Sequence, residues 1–302
     1  MSAGTETFPF YGALMTTSDV LTAHADVLAV LTDPAFVVPQ VPNNGTPGGI
    51  VWLRNTVSRF SAETDHRRRR SLILDELAKV DLADLGQMAS ERTTVSLKSG
   101  HGPVDVLAKI ARVVPVELLA EALSLPAGIS EDVNIVAAAY HPRSDFSATA
   151  DQSVARLVKV CGGIADETAA ARIGLLVQAC DATAGLIGNA LIAMKRQKPT
   201  ASVSAILAET LLLNPPVRAT RRQATTTTRV GNSDIMAGEI VTLELAGSLA
   251  FGAGPRKCPG SEHAFAIAGG IVEALRGWQL VDDQIEYEPS PNLRVPASLL
   301  VR

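Results

Sequence analysis

The amino-acid sequence predicts a mainly α-helical protein with a small β component. Aromatic residues make up only 4% of the 302 residues, alanine, leucine and arginine are abundant, and runs of β-branched residues are short. This composition favours helices, because strands are enriched in aromatic and β-branched residues. The apolar content of 47% is enough to fill the core of one large domain or two small ones. Since the sequence has no internal repeat, low-complexity segment or evident linker, we predict a single domain over residues 1–302.

The first part of the chain contains two predicted helices separated by a loop. Residues 18–34 carry apolar side chains near helical spacing, with Ser18 as a possible N-cap and Pro34 as the stop. Residues 37–49 are rich in proline and glycine and are predicted to be loop. A second helix is expected from Asp65 through the run HRRRRSLILDELAKVDLADLGQMA. Its first turn is basic, although helix N-termini favour anions, so the sequence indicates a negatively charged partner there.

The longest apolar helical segment is predicted at residues 171–198. It is polar only at isolated positions, which is typical of a helix buried on nearly all sides. We therefore expect this helix at the centre of the fold. The next helix, at 201–217, is predicted to end at a double proline.

The last third of the chain contains the predicted β component. Residues 224–245 combine β-branched residues with turn residues, as in a small hairpin. A Gly- and Pro-rich loop follows, and residues 261–277 are predicted to be a helix capped by Ser261 or by the preceding loop.

Charge and composition exclude several classes of function. The net charge of -4 argues against general nucleic-acid binding, which requires a basic surface. The N-terminus does not resemble a secretory signal, and we expect no uninterrupted apolar stretch of the roughly 20 residues that span a membrane. The three cysteines, Cys161, Cys180 and Cys258, have irregular spacing and predict no disulfide framework. A cytoplasmic protein is the expectation.

The run FGAGPRKCPG places a cysteine at the mouth of the last predicted helix. The helix dipole, free backbone N–H groups and the adjacent Arg256 and Lys257 are expected to lower the pKa of the Cys258 thiol. The thiolate is the form that binds metal. Three glycines allow tight turns and the close approach of a flat group to the backbone. The pattern fits a metal-ligand loop, a reactive thiol or a buried cysteine in a tight turn; the glycines are Gly252, Gly254 and Gly260.

The same run resembles the haem-ligand loop of the cytochromes P450. Its phenylalanine, two glycines, basic residue, cysteine and final Gly260 match that loop in spacing. The resemblance implies one P450-like domain that binds haem b, iron protoporphyrin IX, with Cys258 as the axial ligand of the iron. It further implies that Arg256 pairs with a haem propionate and that Phe251 packs against the porphyrin near the sulfur.

Two further segments resemble propionate-binding positions of the same family. His66 and Arg70 are four residues apart, which places them on one face of a helix. Arg222 follows the double proline, with Arg221 as the neighbouring alternative. The dianionic propionates would then be the negative partner that the basic helix start requires. Alternatively, the HRRRR run is a solvated basic face or a docking patch.

The central helix resembles the helix that crosses the distal face of the haem in this family. The family places an acid and then a threonine there to relay protons to bound dioxygen. Asp181 matches the acid, but Ala182 occupies the alcohol position and Thr183 follows one residue later. One residue turns a helix by about 100°, so Thr183, although retained with Asp181 as a catalytic candidate, cannot simply replace the missing hydroxyl. The alternative is that Thr183 bonds back to a helix carbonyl. The distal pocket is expected to be lined by Leu175, Gln178, Ala179 and Ala182, with Trp52 and Leu53 nearby.

The sequence departs from the family pattern in two further ways. The family pairs a glutamate with an arginine three residues later, whereas here Glu209 is followed at that distance by Leu212. A buried glutamate without its cation is costly, so we expect Glu209 to be exposed, protonated or paired with another arginine. The chain is also short for the family, and residues 245–249 lead almost directly into Phe251, so the expected framework is abbreviated.

The resemblance implies a haem-thiolate oxidoreductase of the monooxygenase type that acts on a small organic substrate, in specialised metabolism. Electron donation from the sulfur favours O–O cleavage. Electrons are expected from a separate ferredoxin and reductase, because the chain has no dinucleotide-binding glycine motif and no iron–sulfur cysteine cluster. We expect no nucleic-acid or membrane partner. Ala182 motivates an alternative, a peroxygenase or a non-redox isomerase, dehydratase or cyclase. A third alternative is a non-catalytic partner of another enzyme.

Overall fold

The computed structural model describes residues 17–42, 45–98, 102–141, 147–195, 201–282 and 284–302. Within these ranges the chain forms ten α-helices and eight short strands, as the sequence predicts for a mainly α fold. The helices are α1 His24–Thr32, α2 Ile50–Thr56, α3 Glu63–Leu77, α4 Leu82–Lys98, α5 Val114–Ala122, α6 Ser130–Ala139, α7 Ala148–Val160, α8 Glu167–Met194, α9 Val203–Leu213 and α10 Ser261–Ala274. A π-helical turn occupies Leu107–Ala111, before α5.

The strands form three small sheets. The four-stranded sheet has the order β1-β7-β4-β2, in which β1 runs parallel to β7 and the other pairs are antiparallel. The pairs β3-β8 and β5-β6 are antiparallel. The strands are β1 Thr17–Leu21, β2 Phe36–Val37, β3 Val104–Asp105, β4 Ala219–Ala224, β5 Thr228–Val230, β6 Ser233–Ile235, β7 Ile240–Glu244 and β8 Leu300–Val301.

The segment predicted as the first helix begins as a strand and becomes helical only later. Residues 17–21 form β1, so Ser18 lies in a strand and the prediction that it caps a helix was wrong. The apolar spacing was helical, but backbone pairing with β7 decides the local structure, and Val20 remains exposed. Helix α1 begins only at His24 and ends before Pro34, as predicted.

The helix predicted over residues 65–89 is two helices. Helix α3 begins at Glu63 and ends at Leu77, and α4 begins at Leu82. The Asp81 carboxylate accepts a hydrogen bond from the backbone N–H of Ala83 at 2.9 Å. A side chain that bonds the first turn in this way starts a new helix, which explains the break.

The later predictions were largely correct. Helix α10 begins at Ser261 after Gly260, with no side-chain cap, so the preceding loop and not Ser261 starts it. The predicted hairpin is formed by β5 and β6, whereas β7 pairs with β4 and β1 instead. The predicted loop at 37–49 contains only Val37 of β2 in a strand; residues 43 and 44 lie outside the described ranges.

Helix α8 is the central helix of the fold, as the sequence predicted. The Asp166 carboxylate caps it by accepting from Ala169 N–H at 2.8 Å. It packs against α2, α3, α5, α6, α7, α9 and α10. One helix, α8, is long and apolar enough to cross a membrane by length and composition alone, although polar residues interrupt its apolar sequence. However, 72% of its apolar window is buried inside the fold, as in the core helix of a soluble protein.

The cysteine-bearing loop lies where two hydrophobic cores meet. The larger core surrounds α8, and Phe251 packs against it. The smaller core lies between the four-stranded sheet and α1, and Ala253 packs against it. The start of the loop is therefore fixed by packing against both cores.

Candidate functional site

The loop that carries Cys258 is a tight, internally bonded turn. The backbone N–H of Cys258 donates to the carbonyl of Phe251 at 2.8 Å and closes the loop. Gly252 and Gly254 have φ angles of 71° and 63°, which side chains rarely adopt. A Cβ at Gly254 would also lie 2.9 Å from the carbonyl oxygen of Leu31 at the end of α1, so both glycines are required by the fold.

Gly260 differs from these two glycines. Its φ angle is -99°, and the protein atoms nearest to an added Cβ are the methyls of Leu77, 4.0 Å away. The protein atoms alone do not require glycine at this position. A role for Gly260 in close contact with a cofactor therefore stays a prediction.

Burial and local dipoles act in opposite directions on the Cys258 thiol. Burial raises the pKa of Cys258 and is the largest influence. The hydrogen bond from the Gly260 backbone N–H and the charges of Arg70, Arg59 and Lys257 lower it, but they do not fully compensate. The expectation of a net lowered pKa was thus wrong for the protein alone, because desolvation of a thiolate outweighs these dipoles. Binding of a metal would remove the proton outright.

Four basic side chains meet beside this loop, and we call them the cation cluster: His66, Arg70, Arg222 and Arg256. His66 is 7% exposed and Arg222 is 6% exposed. The guanidinium of Arg70 donates to the carbonyl of Lys257, and that of Arg256 donates to the carbonyl of Ser61. Arg222 donates to the carbonyl of Arg221 at 2.7 Å. All three guanidinium groups therefore rest on neutral oxygens.

The members of the cation cluster repel one another. Burial, followed by the charges of Arg256, Arg70 and Arg222, lowers the pKa of His66 to about 4. Burial and the charges of Arg256 and Arg59 lower the pKa of Arg222 to about 10.

Throughout the described ranges, no carboxylate lies within ion-pair distance of Arg70, Arg222 or Arg256. Buried like charges without a counterion are costly, and a bound dianion would relieve that cost.

Two arginines of the basic run are already neutralised, while the exposed Arg67 donates to the hydroxyl of Thr64. Arg68 and Arg69 bind the carboxylate of Glu167, the first residue of α8, at 2.6 and 2.8 Å. Hydrogen bonds from Arg68 and then Arg69 lower the pKa of Glu167 to about 2. The basic start of α3 thus has two sides, one paired with α8 and one in the cation cluster. Only the second side still requires a negative partner.

Helix α8 has one partly exposed region along its buried length. Between Ile173 and Leu191, the residues that are not buried lie within one and a half turns, and we call them the α8 strip: Gln178, Ala179, Asp181 and Ala182. One turn before the strip, Gly174 lies against Val57, where an added Cβ would be 2.9 Å from a methyl. One turn after it, Gly185 lies equally close to Pro216. The strip is therefore an opening with protein on both sides.

The two segments that border this opening continue along the chain to residues that belong to the cation cluster or contact it. Val57 precedes Ser61, which accepts from Arg256, and Pro216 precedes Arg222 in the chain. Fewer of the predicted pocket residues are accessible than expected. Leu53 and Leu175 are buried in the core, whereas Trp52 is partly exposed.

The predicted catalytic residues lie in different environments. Ala182 belongs to the α8 strip, whereas Thr183 is only 2% exposed. The side chain of Asp181 is 22% exposed, and its Oδ1 lies 3.0 Å from Nε of Arg112. A second carboxylate, that of Glu288, lies 2.7 Å from the same guanidinium. Sequence reasoning missed Arg112 and Glu288, because nothing in the local pattern distinguishes them.

Glu209 and Leu212, at the two positions of the family's glutamate–arginine pair, lie in different surroundings. Leu212, at the position of the absent arginine, is 58% exposed and approaches Gly247. Glu209 is partly exposed and lines a cavity of about 100 Å³ together with Tyr287 and Arg294. The Arg294 guanidinium stacks on the Tyr287 ring at 3.9 Å. Arg294, from another segment, lines the same cavity as Glu209, and the pairing of Glu209 with another arginine stays a prediction.

Other places in the fold are less suited to hold a metal. The described ranges contain no group of three or more histidine, cysteine, aspartate or glutamate side chains that could bind a metal ion. Both ring nitrogens of His263 are buried without a hydrogen-bond partner in the described part of the chain, and burial lowers the pKa of His263. The larger cavity, of about 440 Å³, lies between α4, α9 and α10 and includes none of the predicted site residues.

Solved structures with the same architecture include several cytochromes P450. P450BioI, in complex with a hexadec-9Z-enoic acid-ligated acyl carrier protein, has a TM-score of 0.80 and 19% identity over 96% of this chain and 94% of that chain. CalO2 has a TM-score of 0.76 at 19% identity, covering 93% and 90% of the two chains. The P450 haem domain of Tepidiphilus thermophilus has a TM-score of 0.75 at 17% identity, covering 93% and 88%. No protein-family model matches the sequence, and no curated protein matches it significantly.

The fold is therefore that of the cytochromes P450. This chain is a short P450-like protein of 302 residues. That fold implies a haem, and the residues present fit one: the sulfur of Cys258 lies beside partly or fully buried basic side chains that have no carboxylate partner among the described residues. A haem offers an iron for the sulfur and two carboxylates for the cations.

Proposed function

We propose that residues 1–302 form a single haem-binding domain that acts in the cytoplasm as a haem-thiolate oxidoreductase on a small organic substrate, in specialised metabolism. The observation that carries this proposal is the cation cluster beside Cys258, which has no carboxylate partner in the described ranges. A dianionic cofactor explains why the fold retains buried cations there. A merely reactive thiol would not need them.

Haem b would be held by residues from several parts of the chain. Cys258 would bind the iron, with its sulfur supported by the backbone N–H of Gly260. Phe251 would pack against the porphyrin, as it already packs at the edge of the larger core. The propionates would be bound by the cation cluster. When bound, a haem with a thiolate ligand supplies the capacity to oxidise unactivated C–H bonds.

The α8 strip would form the substrate side of the site. Ala179 and Ala182 have short side chains and leave room for a ligand. The amide of Gln178 donates from Nε2 to the carbonyl of Gly174 at 2.9 Å, so its oxygen is the atom oriented for a further hydrogen bond. Asp181 adds a carboxylate to the same strip. We propose a largely apolar substrate with few polar groups.

The oxidant is the main open choice, and two versions of the proposal differ in it. In the first, electrons come from a separate ferredoxin and reductase and the oxidant is dioxygen. In the second, a peroxide is the oxidant, or the haem acts without redox chemistry as an isomerase, dehydratase or cyclase. The second version is favoured by Ala182, which offers no hydroxyl, and by the burial of Thr183. Proton delivery from α8 is weaker without a hydroxyl in the strip.

The experiment compares oxidants and restores the hydroxyl. Haem-loaded protein is supplied with a panel of apolar substrates and either peroxide or a ferredoxin–reductase pair, and product and leaked peroxide are measured. We expect Ala182→Thr to raise product per electron at least about threefold, because a hydroxyl then faces the strip. Ala179→Thr is the matched control, since it adds a hydroxyl one turn away. Product from peroxide alone, unchanged by Ala182→Thr, would support the second version.

A different result would overturn both versions. A preparation that stays colourless and gains no Soret band when haem is added would indicate a non-catalytic partner of another enzyme. In that case the absence of the glutamate–arginine pair would indicate a chain that has lost haem binding.

A further inference from the structure

Arg112 joins three separate segments at the α8 strip. It ends the π-helical turn Leu107–Ala111, where its backbone N–H donates to the carbonyl of Leu107 at 3.2 Å. Its Nε lies 3.0 Å from Oδ1 of Asp181, and its Nη2 lies 2.7 Å from Oε2 of Glu288. We call this set of three side chains the Arg112 clamp. Its arginine is 18% exposed, so solvent screens these bonds only partly.

Glu288 belongs to a hairpin near the C-terminus, formed by residues 286–297. The backbone N–H of Glu288 donates to the carbonyl of Val295, and that of Ala297 donates to Glu286, both at 2.9 Å. The side-chain amide of Asn189 on α8 donates to the carbonyl of Arg294 at 3.0 Å. The hairpin is therefore tied to α8 at two levels, by Asn189 and by Arg112.

The geometry of the clamp requires an arginine. The guanidinium holds its N–H donors in one rigid plane, and here its Nε and Nη2 bind two different carboxylates. A lysine ammonium is a single point charge and does not fix both partners in one orientation. Without the guanidinium, the carboxylates of Asp181 and Glu288 would repel each other across the edge of the strip.

The clamp has an excess of negative charge. One guanidinium and two carboxylates sum to a net charge of -1 at the edge of the α8 strip. Burial acts to lower the pKa of Arg112, but hydrogen bonds and charges from Glu288 and Asp181 outweigh it and raise that pKa. Arg112 therefore stays charged at neutral pH.

We propose that Arg112 is a positioning residue of the substrate site: it holds Asp181 by one oxygen at the edge of the α8 strip and fastens the 286–297 hairpin there. As a result, the hairpin is fixed along one side of the strip. The strip also carries one net negative charge, so it discriminates against anionic ligands. This inference rests on the proposed function, because it assumes that the α8 strip faces the haem.

Ligand binding to the ferric haem measures the charge directly. Azide is the anionic probe, imidazole is the neutral probe, and both are titrated spectroscopically. Asp181→Asn and Glu288→Gln each bring the net charge to zero, and we expect azide affinity to rise about three- to tenfold. Arg112→Gln brings it to -2, and azide affinity should fall by about the same factor. Imidazole affinity should change less than azide affinity in the charge variants.

Hydrogen exchange measures whether Arg112 holds the 286–297 hairpin in place. The amide of Ala297 bonds within the hairpin, so its exchange reports whether the hairpin is fastened. We expect faster exchange over residues 286–297 in Arg112→Gln. The same is expected in Arg112→Lys, which keeps the positive charge but cannot bind both carboxylates in one fixed orientation. In Asp181→Asn, which leaves the Glu288 bond in place, exchange should stay near the wild-type rate. Arg156→Gln, which breaks a remote pair with Asp132, is the matched control.

Two results would overturn the inference. Equal azide affinity in all charge variants would show that the clamp does not face the iron. Unchanged hairpin exchange in Arg112→Gln would show that Arg112 fastens nothing. Because the exchange experiment works on protein without haem, a failure to bind haem would contradict the proposed function but leave the positioning role measurable.

Discussion

The two sides of the site treat positive charge in opposite ways. Beside Cys258, the cations of the cation cluster rest on carbonyl oxygens and have no carboxylate partner among the described residues. At the α8 strip, the single guanidinium of Arg112 is shared by two carboxylates. The first region is incomplete without a negative ligand, whereas the second is complete in the protein alone. The cofactor side can therefore be recognised by charge that the protein leaves unpaired.

The largest expected contrast is in the free energy of unfolding when an arginine is replaced by methionine in each of the two regions. Arg222→Met removes a buried cation that has no counterion, so the haem-free protein should become more stable by about 1–4 kcal/mol. The same variant loses a propionate partner, and its haem affinity should fall at least about tenfold. Chemical denaturation of the haem-free protein and haem titration measure the two effects. A haem-free Arg222→Met protein that is less stable than wild type would contradict the claim that Arg222 lacks a counterion.

Arg112→Met should change stability in the opposite direction. It leaves the carboxylates of Asp181 and Glu288 without their cation, and we expect a loss of about 1–3 kcal/mol in the free energy of unfolding. Arg92→Met, which removes an exposed partner of Glu121, is the control and should cost less than about 1 kcal/mol. Denaturation curves of both variants check this. A gain in stability for Arg112→Met would remove the distinction between the two regions.

Acid should weaken the haem-free protein first through His66. The folded-state pKa of His66 is about 4 against an ordinary value of 6.5, so the unfolded chain binds more protons between these values. Stability should therefore fall as the pH decreases from 6.5 towards 4. In His66→Gln this part of the pH dependence should disappear. Unfolding midpoints measured across this range test it, and an unchanged slope in the variant would contradict the assignment.

A smaller effect is expected at lower pH from Glu167. Its folded-state pKa of about 2 lies below its ordinary value of 4.5, so its contribution is present above pH 4.5 and is lost as the pH falls towards 2. Because Arg68 is 53% exposed, although Arg69 is only 14% exposed, Glu167→Gln should cost about 1 kcal/mol at neutral pH. The variant's stability should depend less on pH within that window. A loss of haem binding in Glu167→Gln would place this pair in the cofactor site instead.

The parts of the site that could be predicted from the sequence are those carried by local patterns. The Cys258 loop has a fixed order of residue types, and His66 and Arg70 have a fixed helical spacing. The structure brings these segments together with Arg222 and Arg256. Their roles toward a haem remain predictions, but their proximity is now a structural fact.

The missed features depend on contacts between distant parts of the chain. Arg112 meets Asp181 across 69 residues and Glu288 across 176, and no local pattern records such a pairing. The strand at residues 17–21 was missed for the same reason, because its partner β7 lies more than two hundred residues later. The break before Leu82, in contrast, has a local cause in Asp81 that sequence reasoning overlooked.

The central claim is that the sulfur of Cys258 binds a haem iron, and the spectrum of the reduced protein with carbon monoxide tests it most directly. With ample haem supplied, the account predicts the Soret shift that reports a thiolate ligand, and its loss in Cys258→Ala. A preparation without iron would contradict the account. So would a nitrogen-ligated spectrum that persists in Cys258→Ala and disappears in His263→Ala.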